Sequence, residues 1–143
     1  MTLTYATSKD YESIAKLEKK YFPFPHTYNQ MKEEIFLVAK QQEHIVGYVG
    51  LRTVLDEGYI SNVLVDEPFR RQHVADALIR RLSDDFRNLS FLTLEVREGN
   101  LPAIRLYEKN GFSIEGHIKH YYAKPTEDAL IMTKRRNNED TCI

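Results

Sequence analysis

The sequence holds a single cysteine, Cys142. One thiol forms no intrachain disulfide and no cysteine-based zinc site, so neither staple holds this fold. Charge of one sign is missing as well: 20 Lys and Arg stand against 21 Asp and Glu, a formal net charge of −1. Dedicated nucleic-acid binders carry a basic excess that this chain lacks. No apolar run approaches the roughly 18 residues of a membrane-spanning helix. The first 15 residues, MTLTYATSKDYESIA, lack the basic and apolar regions of a secretory signal. Linkers, internal repeats and low-complexity tracts are absent too. What is present is ordinary globular composition, 42% hydrophobic and 29% charged, too apolar for intrinsic disorder. A chain of 143 residues makes one domain, 1–143, large enough to bury about two-thirds of its unfolded surface. The expectation is a soluble, cytoplasmic, single-domain protein, a monomer or weak homodimer, bound to neither nucleic acid nor membrane. Residues 134–143 read as a frayed polar tail, with Lys134-Arg135-Arg136 as a solvated end.

Residues 3–6 read as a short strand. Ser8 can cap a helix running to about Tyr21, with Tyr11, Ile14, Ala15 and Leu17 roughly on one face. Pro23 and Pro25 break it. Thr27 with Gln30 three places on is a capping box and predicts a short helix carrying Met31 and Ile35. Residues 36–40 and 44–53 read as strands around the turn Gln41-Gln42-Glu43. Asp56-Glu57-Gly58 is a second turn, and residues 59–65 are a third strand, rich in β-branched side chains. Val74, Leu78, Ile79, Leu82 and Phe86 then recur at helical spacing, predicting a helix over 73–87. Residues 91–96 form a strand. Asn100 caps a short helix with Pro102 in its first turn and Asn110-Gly111 at its end. Residues 112–122 and 128–134 close the chain as a strand pair. The strand, helix and strand over 59–96 make one parallel pair in an otherwise antiparallel arrangement, so the class is α+β, a mixed sheet with helices packed on it.

Three features carry possible chemistry. The first is the turn Asp66-Glu67-Pro68-Phe69-Arg70-Arg71-Gln72-His73-Val74-Ala75. A strand running into a helix N-terminus offers free backbone N–H groups and the positive end of a helix dipole, a setting for a diphosphate. The local pattern alone favours a solvated loop with surface arginines. The second is Glu95, inside the apolar run Phe91-Leu92-Thr93-Leu94-Glu95-Val96. On a pocket wall, partial burial would raise its pKa and make it a general base. At an exposed strand end it would pair with Arg97 or another cation. The third is Tyr107, on the helix after Asn100, whose phenol either enters a site or caps the core; core is the commoner fate of such a tyrosine. His26, His44, His117 and His120 show no metal-ligand spacing backed by other ligands. The last two lie near Tyr121 and Tyr122 and read as surface histidines.

Order and spacing bring these pieces together. Asn62-Val63-Leu64-Val65-Asp66, Arg70-Arg71-Gln72-His73-Val74-Ala75, Leu94-Glu95-Val96-Arg97, Asn100, Ala103-Ile104-Arg105-Leu106-Tyr107-Glu108 and Gly111-Phe112 resemble the GNAT superfamily of acetyl-CoA-dependent N-acetyltransferases. Val54-Leu55-Asp56-Glu57, Tyr121-Tyr122 and Glu127-Asp128-Ala129-Leu130-Ile131-Met132 make the chain similar to the ribosomal-protein alanine N-acetyltransferases, the RimI type. The resemblance spans nearly the whole chain. It is strongest over residues 54–132 and weakest over the first 35.

That resemblance implies a mixed, mostly antiparallel central sheet with helices on both faces. The backbone at Val63, Leu64 and Val65 would pair with the pantetheine arm of acetyl-CoA, one N–H polarising the thioester carbonyl. The loop of Arg70, Arg71, Gln72, His73, Val74, Ala75 and Asp76 would cradle the pyrophosphate. Asn100 would sit beside the pantetheine, Glu95 would be the general base, and Tyr107, against the cofactor, the general acid. The implied acceptor is a primary amine, foremost the N-terminal α-amino group of a protein such as a ribosomal protein. Its peptide would lie along the connection between the first two helices and the last strand pair, lined by Phe22, Phe24, Tyr121 and Tyr122, whose alternative role is core packing. No metal is implied. The alternatives are a small amine as acceptor (a polyamine or amino sugar) and a non-catalytic acyl-CoA-binding module. One position departs from the family pattern: His73 stands where the phosphate loop has its first glycine. A histidine keeps the loop amides if its backbone is right-handed and is strained if φ is positive.

Overall fold

The computed structural model describes residues 1–136. Among the described residues there are seven strands: β1 (Thr2–Tyr5), β2 (Ile35–Gln41), β3 (His44–Val54), β4 (Glu57–Val65), β5 (Phe91–Arg97), β6 (Ser113–Ala123) and β7 (Thr126–Arg135). The helices are α1 (Tyr11–Tyr21), α2 (Tyr28–Lys32), α3 (Val74–Asp85) and α4 (Leu101–Lys109). The strand order is β1-β2-β3-β4-β5-β7-β6. β4 and β5 run parallel, Glu57 opposite Phe91 through Tyr59 opposite Thr93. The pairs β1/β2, β2/β3, β5/β7 and β6/β7 are antiparallel. This is the mixed, mostly antiparallel sheet with helices that the sequence led us to expect. No helix among the described residues is long and apolar enough to cross a membrane.

The chain divides into two units, Met1–Arg52 with Ser61–Leu82, and Thr53–Ile60 with Ser83 onward. In the first, α1 turns Ile14 and Leu17 inward onto Met31, Phe36, Val38, Tyr48 and Leu64. Phe36 to Ala39 on β2 are buried without alternation, as in a strand covered on both faces. In the second unit β5 alternates: Leu92, Leu94 and Val96 are buried, while Glu95 between the last two is exposed. Here α4 begins where the Asn100 Oδ1 accepts from the Ala103 N–H at 3.3 Å. It ends at Gly111, whose φ of +93° is open to glycine but costly for other residues.

Four local expectations are corrected. Ile35 opens β2 instead of closing the second helix. The hairpin turn is Leu55-Asp56, with Leu55 left-handed at φ +55°, and Gly58 lies inside β4. Gly58 is there for close packing: a Cβ at this position would meet the Leu92 side chain at 2.6 Å. The helix over 73–87 is shorter, Val74–Asp85, so Phe86 lies beyond it. Finally, Lys134 and Arg135 belong to β7 and not to a tail. The Lys134 Nζ donates to the Ser83 Oγ at 2.7 Å and the Arg136 guanidinium to the Ser83 carbonyl at 2.6 Å. Burial and the charge of Arg136 hold the Lys134 ammonium below its ordinary pKa. The rest of the predicted tail, with Cys142, lies outside the described residues.

Candidate active site

In the first unit, β4 ends at Val65 and α3 begins at Val74. The connection opens with a single 3-10 turn, Glu67–Phe69, with Pro68 inside it and Asp66 as its cap. The Tyr21 phenol of α1 donates to the Asp66 carboxylate at 2.6 Å and accepts from the Glu67 N–H at 2.8 Å. The Tyr21 bond, with Lys20 beside it, lowers the Asp66 pKa. The Arg70 Nε donates to the Val65 carbonyl at 2.8 Å, and its guanidinium lies 4.9 Å from the centre of the Tyr21 ring. The start of the loop is thus tied to α1 and to the end of β4. Nothing in the local sequence announces Tyr21 as the tie, because its partners lie 45 residues on.

The loop's last turn has an unusual backbone. Arg71 and His73 have φ of +64° and +63°, and Gln72 between them is not among the positive-φ residues. Alternation in the sign of φ is the signature of an anion-binding nest, in which successive N–H groups point into one concavity. The N-terminus of a twelve-residue helix follows it. The donor set therefore fits a diphosphate. His73 takes the positive φ that the sequence left open, so the loop keeps a glycine-like conformation with a non-glycine residue. Histidine is among the residues more often found there. Arg71, Gln72 and His73 are exposed. Val74 is 2% exposed and anchors α3 in the core, and Asp76 pairs with Arg80 one turn on at 2.9 Å. Val74 and Asp76 therefore serve the helix, whatever their backbones offer a ligand. Val63 and Val65 are half-buried and Leu64 is buried.

The second unit holds Glu95, Asn100, Tyr107 and the two adjacent tyrosines. Glu95 is exposed, so the partial burial considered for it is absent: the β5 alternation puts its side chain on the opposite face from Leu94 and Val96. Its suggested partner Arg97 is engaged elsewhere. That guanidinium donates to Glu127 at 3.2 Å and to the Pro125 carbonyl at 3.0 Å, and lies 4.3 Å from the Tyr122 ring centre. Tyr122 feels Glu95: burial first, then the charges of Tyr121 and Glu95, push its phenol up to about 12. Tyr107 is 8% exposed, its ring 5.8 Å from Phe112. Burial, with a contribution from Tyr122, pushes its phenol up to about 12 as well. Glu95, Tyr122 and Tyr107 thus form one electrostatic neighbourhood. The side chain of Asn100 is used as the α4 cap.

Of the aromatic residues proposed for the acceptor, Phe22 packs against the first unit's core, whereas Phe24 is 91% exposed. Tyr121 and Tyr122 meet edge to face at 5.0 Å. His117, which sequence spacing left without ligand partners, lies 3.0 Å from Asp128 and 3.6 Å from Glu98. These three offer ligand atoms within 4.8 Å of one another, and the close contacts of His117 with the two carboxylates account for the grouping. One cluster escaped sequence reading altogether: Glu18, His26, Glu34 and Tyr48 of the first unit. Glu18 follows Ile14 by one helical turn, so its place on the buried face was readable; its remote partners were not.

The profile of the acetyltransferase (GNAT) family matches residues 4–112. The [ribosomal protein bS18]-alanine N-acetyltransferase of Escherichia coli K12 is 31% identical over 141 residues, covering 92% of this chain and 95% of that protein. An N-alpha-acetyltransferase of Sulfolobus acidocaldarius is 32% identical over 148 residues, covering 89% and 88%. The crystal structure of the Escherichia coli ribosomal-protein-S18-alanine N-acetyltransferase superposes with a TM-score of 0.85 at 28% identity, covering 94% of this chain and 92% of that one. With a family match over most of its length and relatives above 30% identity along nearly all of it, this chain belongs to the GNAT family of acetyltransferases.

Proposed function

We propose that the protein acetylates the N-terminal α-amino group of a protein, with acetyl-CoA as donor and a ribosomal protein as the foremost candidate acceptor. The observation that carries this reading is the coverage of two relatives named for Nα- or N-terminal alanine acetylation, each matched along nearly its whole length. The positive φ of Arg71 and His73, in the loop between β4 and α3, supports the donor. Bound acetyl-CoA supplies an acetyl group on a thioester, open to attack by an amine.

The residues divide the work by chemical type. An ammonium has no lone pair, and an α-amino group has a pKa of about 8. Glu95 takes its proton, directly or through a water, and the amine nitrogen then bonds the acetyl carbon. A backbone N–H within Val63–Val65 donates to the acetyl oxygen as negative charge gathers there. The nitrogen sheds its remaining extra proton to solvent as the amide forms, and the carbon–sulfur bond breaks with sulfur leaving as a thiolate that takes a proton from solvent. Tyr107, raised to about 12, stays protonated and donates a hydrogen bond to that sulfur. Handing over its proton fully to a thiolate of ordinary pKa, about 8.5, would be uphill by about 5 kcal/mol, so its role is that of a donor.

His73 gives a test of the donor site. His73→Gly removes a Cβ and an imidazole from the nest while keeping a φ that glycine adopts freely. We expect acetyl-CoA to bind about fivefold tighter by calorimetry, equivalent to ~1 kcal/mol, with folding stability changed by less than about 1 kcal/mol. Weaker binding would show instead that the imidazole itself holds the diphosphate.

The function as a whole is tested by thiol release from acetyl-CoA with a panel of acceptors: peptides with free Ala, Ser or Met N-termini, the same peptides Nα-blocked, and polyamines and amino sugars. Release with free N-termini alone is expected. Release with small amines alone would overturn the acceptor, and silence throughout would overturn catalysis.

A further inference from the structure

The segment between α1 and α2, residues 22–27, has no regular structure and includes Pro23 and Pro25. Phe22 packs on the core at its start, and His26 holds its far end. His26 is 18% exposed and lies between two carboxylates, its Nδ1 2.8 Å from Glu18 and its Nε2 2.9 Å from Glu34, which are 0% and 4% exposed. Glu18 also accepts the His26 backbone N–H at 2.8 Å and the Tyr48 hydroxyl at 2.5 Å. The Asn62 side chain of β4 bonds Tyr48 in turn, while burial and Glu18 push that phenol up. Glu34 is less well served: its Oε2 is buried without an aligned hydrogen bond. The cluster is bordered by two cavities. One, of about 150 Å³, is lined by His26, Gln30, Glu33, Glu34 and Arg52. The other, of about 330 Å³, brings Tyr11, Glu12 and Tyr28 near the ring.

A neutral imidazole has one N–H and one lone pair. Held between two carboxylates, it would set that lone pair against an oxygen on one side. On the Glu34 side the contact is close but carries no aligned hydrogen bond. Resting on the acceptor reading above, we infer that His26 is a positioning residue: by bridging Glu18 and Glu34 it fixes the α1–α2 connection, and with it exposed Phe24, for the acceptor peptide. His26 touches neither acetyl-CoA nor the reacting atoms, and it acts through the segment it holds.

The test uses H26F, which keeps a ring of similar size and removes both nitrogens, and E34Q, whose carboxamide can donate to a neutral imidazole. For H26F, KM for a free-N-terminal peptide should rise about tenfold or more, as for loss of a buried bond to a charged group. Its kcat and its KM for acetyl-CoA should stay within about twofold to threefold, the pattern of lost uniform binding. Hydrogen exchange of residues 22–28 should quicken about tenfold or more. E34Q should hold the peptide KM within about twofold of wild type. An unchanged peptide KM in H26F beside an active wild type would overturn the inference, as would an E34Q enzyme as impaired as H26F. If H26F does not fold, H26L, which also lacks both nitrogens, replaces it with the same expectations, and failure of both to fold would overturn positioning in favour of a purely structural role. A wild type inert to every peptide would overturn the acceptor reading instead; faster exchange in H26F would then still support the hold on the segment.

Discussion

Glu95→Gln should lower kcat by roughly 10²–10⁴-fold while leaving the acetyl-CoA dissociation constant unchanged. The substitution is nearly isosteric on a strand position whose side chain is exposed, so folding has little to lose. It removes the carboxylate proposed to accept the ammonium proton, directly or through a water. Since Glu95 lies outside the loop proposed to hold the diphosphate, donor binding should not register the change. Steady-state kinetics across pH with a fixed peptide, together with calorimetry of acetyl-CoA, make the measurement. Near-wild-type turnover at every pH would remove Glu95 as the base and direct attention to Tyr122, whose phenol senses the same charge. Tyr107→Phe in parallel should cost about 10²-fold, the usual effect of deleting one donor to a developing anion. Unchanged kinetics there would make Tyr107 a core tyrosine and nothing more.

The second large effect is on stability. Glu18→Ala should destabilise the protein by about 3–5 kcal/mol, the cost of removing one partner from a buried charged cluster. The melting temperature should fall by about 10–20 °C. Glu18 is fully buried and its two oxygens accept the His26 N–H, meet its imidazole and accept the Tyr48 hydroxyl. Alanine leaves these without a partner and opens a cavity beside them. Glu18→Gln keeps one carbonyl acceptor and should cost only about 1–2 kcal/mol. Denaturant unfolding separates the two variants. An alanine variant within about 1 kcal/mol of wild type would mean that water replaces the carboxylate, and that the cluster contributes little to the fold.

Elements with a strong period are legible in the sequence. The stripe Val74, Leu78, Ile79 and Leu82 is buried on α3, and the alternation of Leu92, Leu94 and Val96 is buried on β5. Two of the three N-terminal caps read from residue type also hold, Thr27 with Gln30 at α2 and Asn100 at α4, while Ser8 lies in a 3-10 turn capped by Thr7. Where the structure departs from the local pattern at Gly58, Lys134 and Arg136, a tertiary contact overrides a local preference. Gly58 looks like a turn residue, yet it lies in a strand because Leu92 leaves no room for a Cβ. Leu55, a poor residue for a left-handed turn, takes that turn. Lys134 and Arg136 look like a solvated end, yet Ser83, some 50 residues away, binds both.

By itself the sequence determined the class of fold, the order of its elements, and a family signature carried by short motifs. All of these depend on residues near one another along the chain, where period, capping and turn chemistry operate. Only the tertiary structure decided that His73 has a positive φ, that Glu95 is exposed and free of Arg97, and that Glu18, His26, Glu34 and Tyr48 share a buried site. The reason is physical: a carboxylate's surroundings, a loop's φ and a histidine's partners are set by groups distant in sequence, and no local pattern records the distances between them.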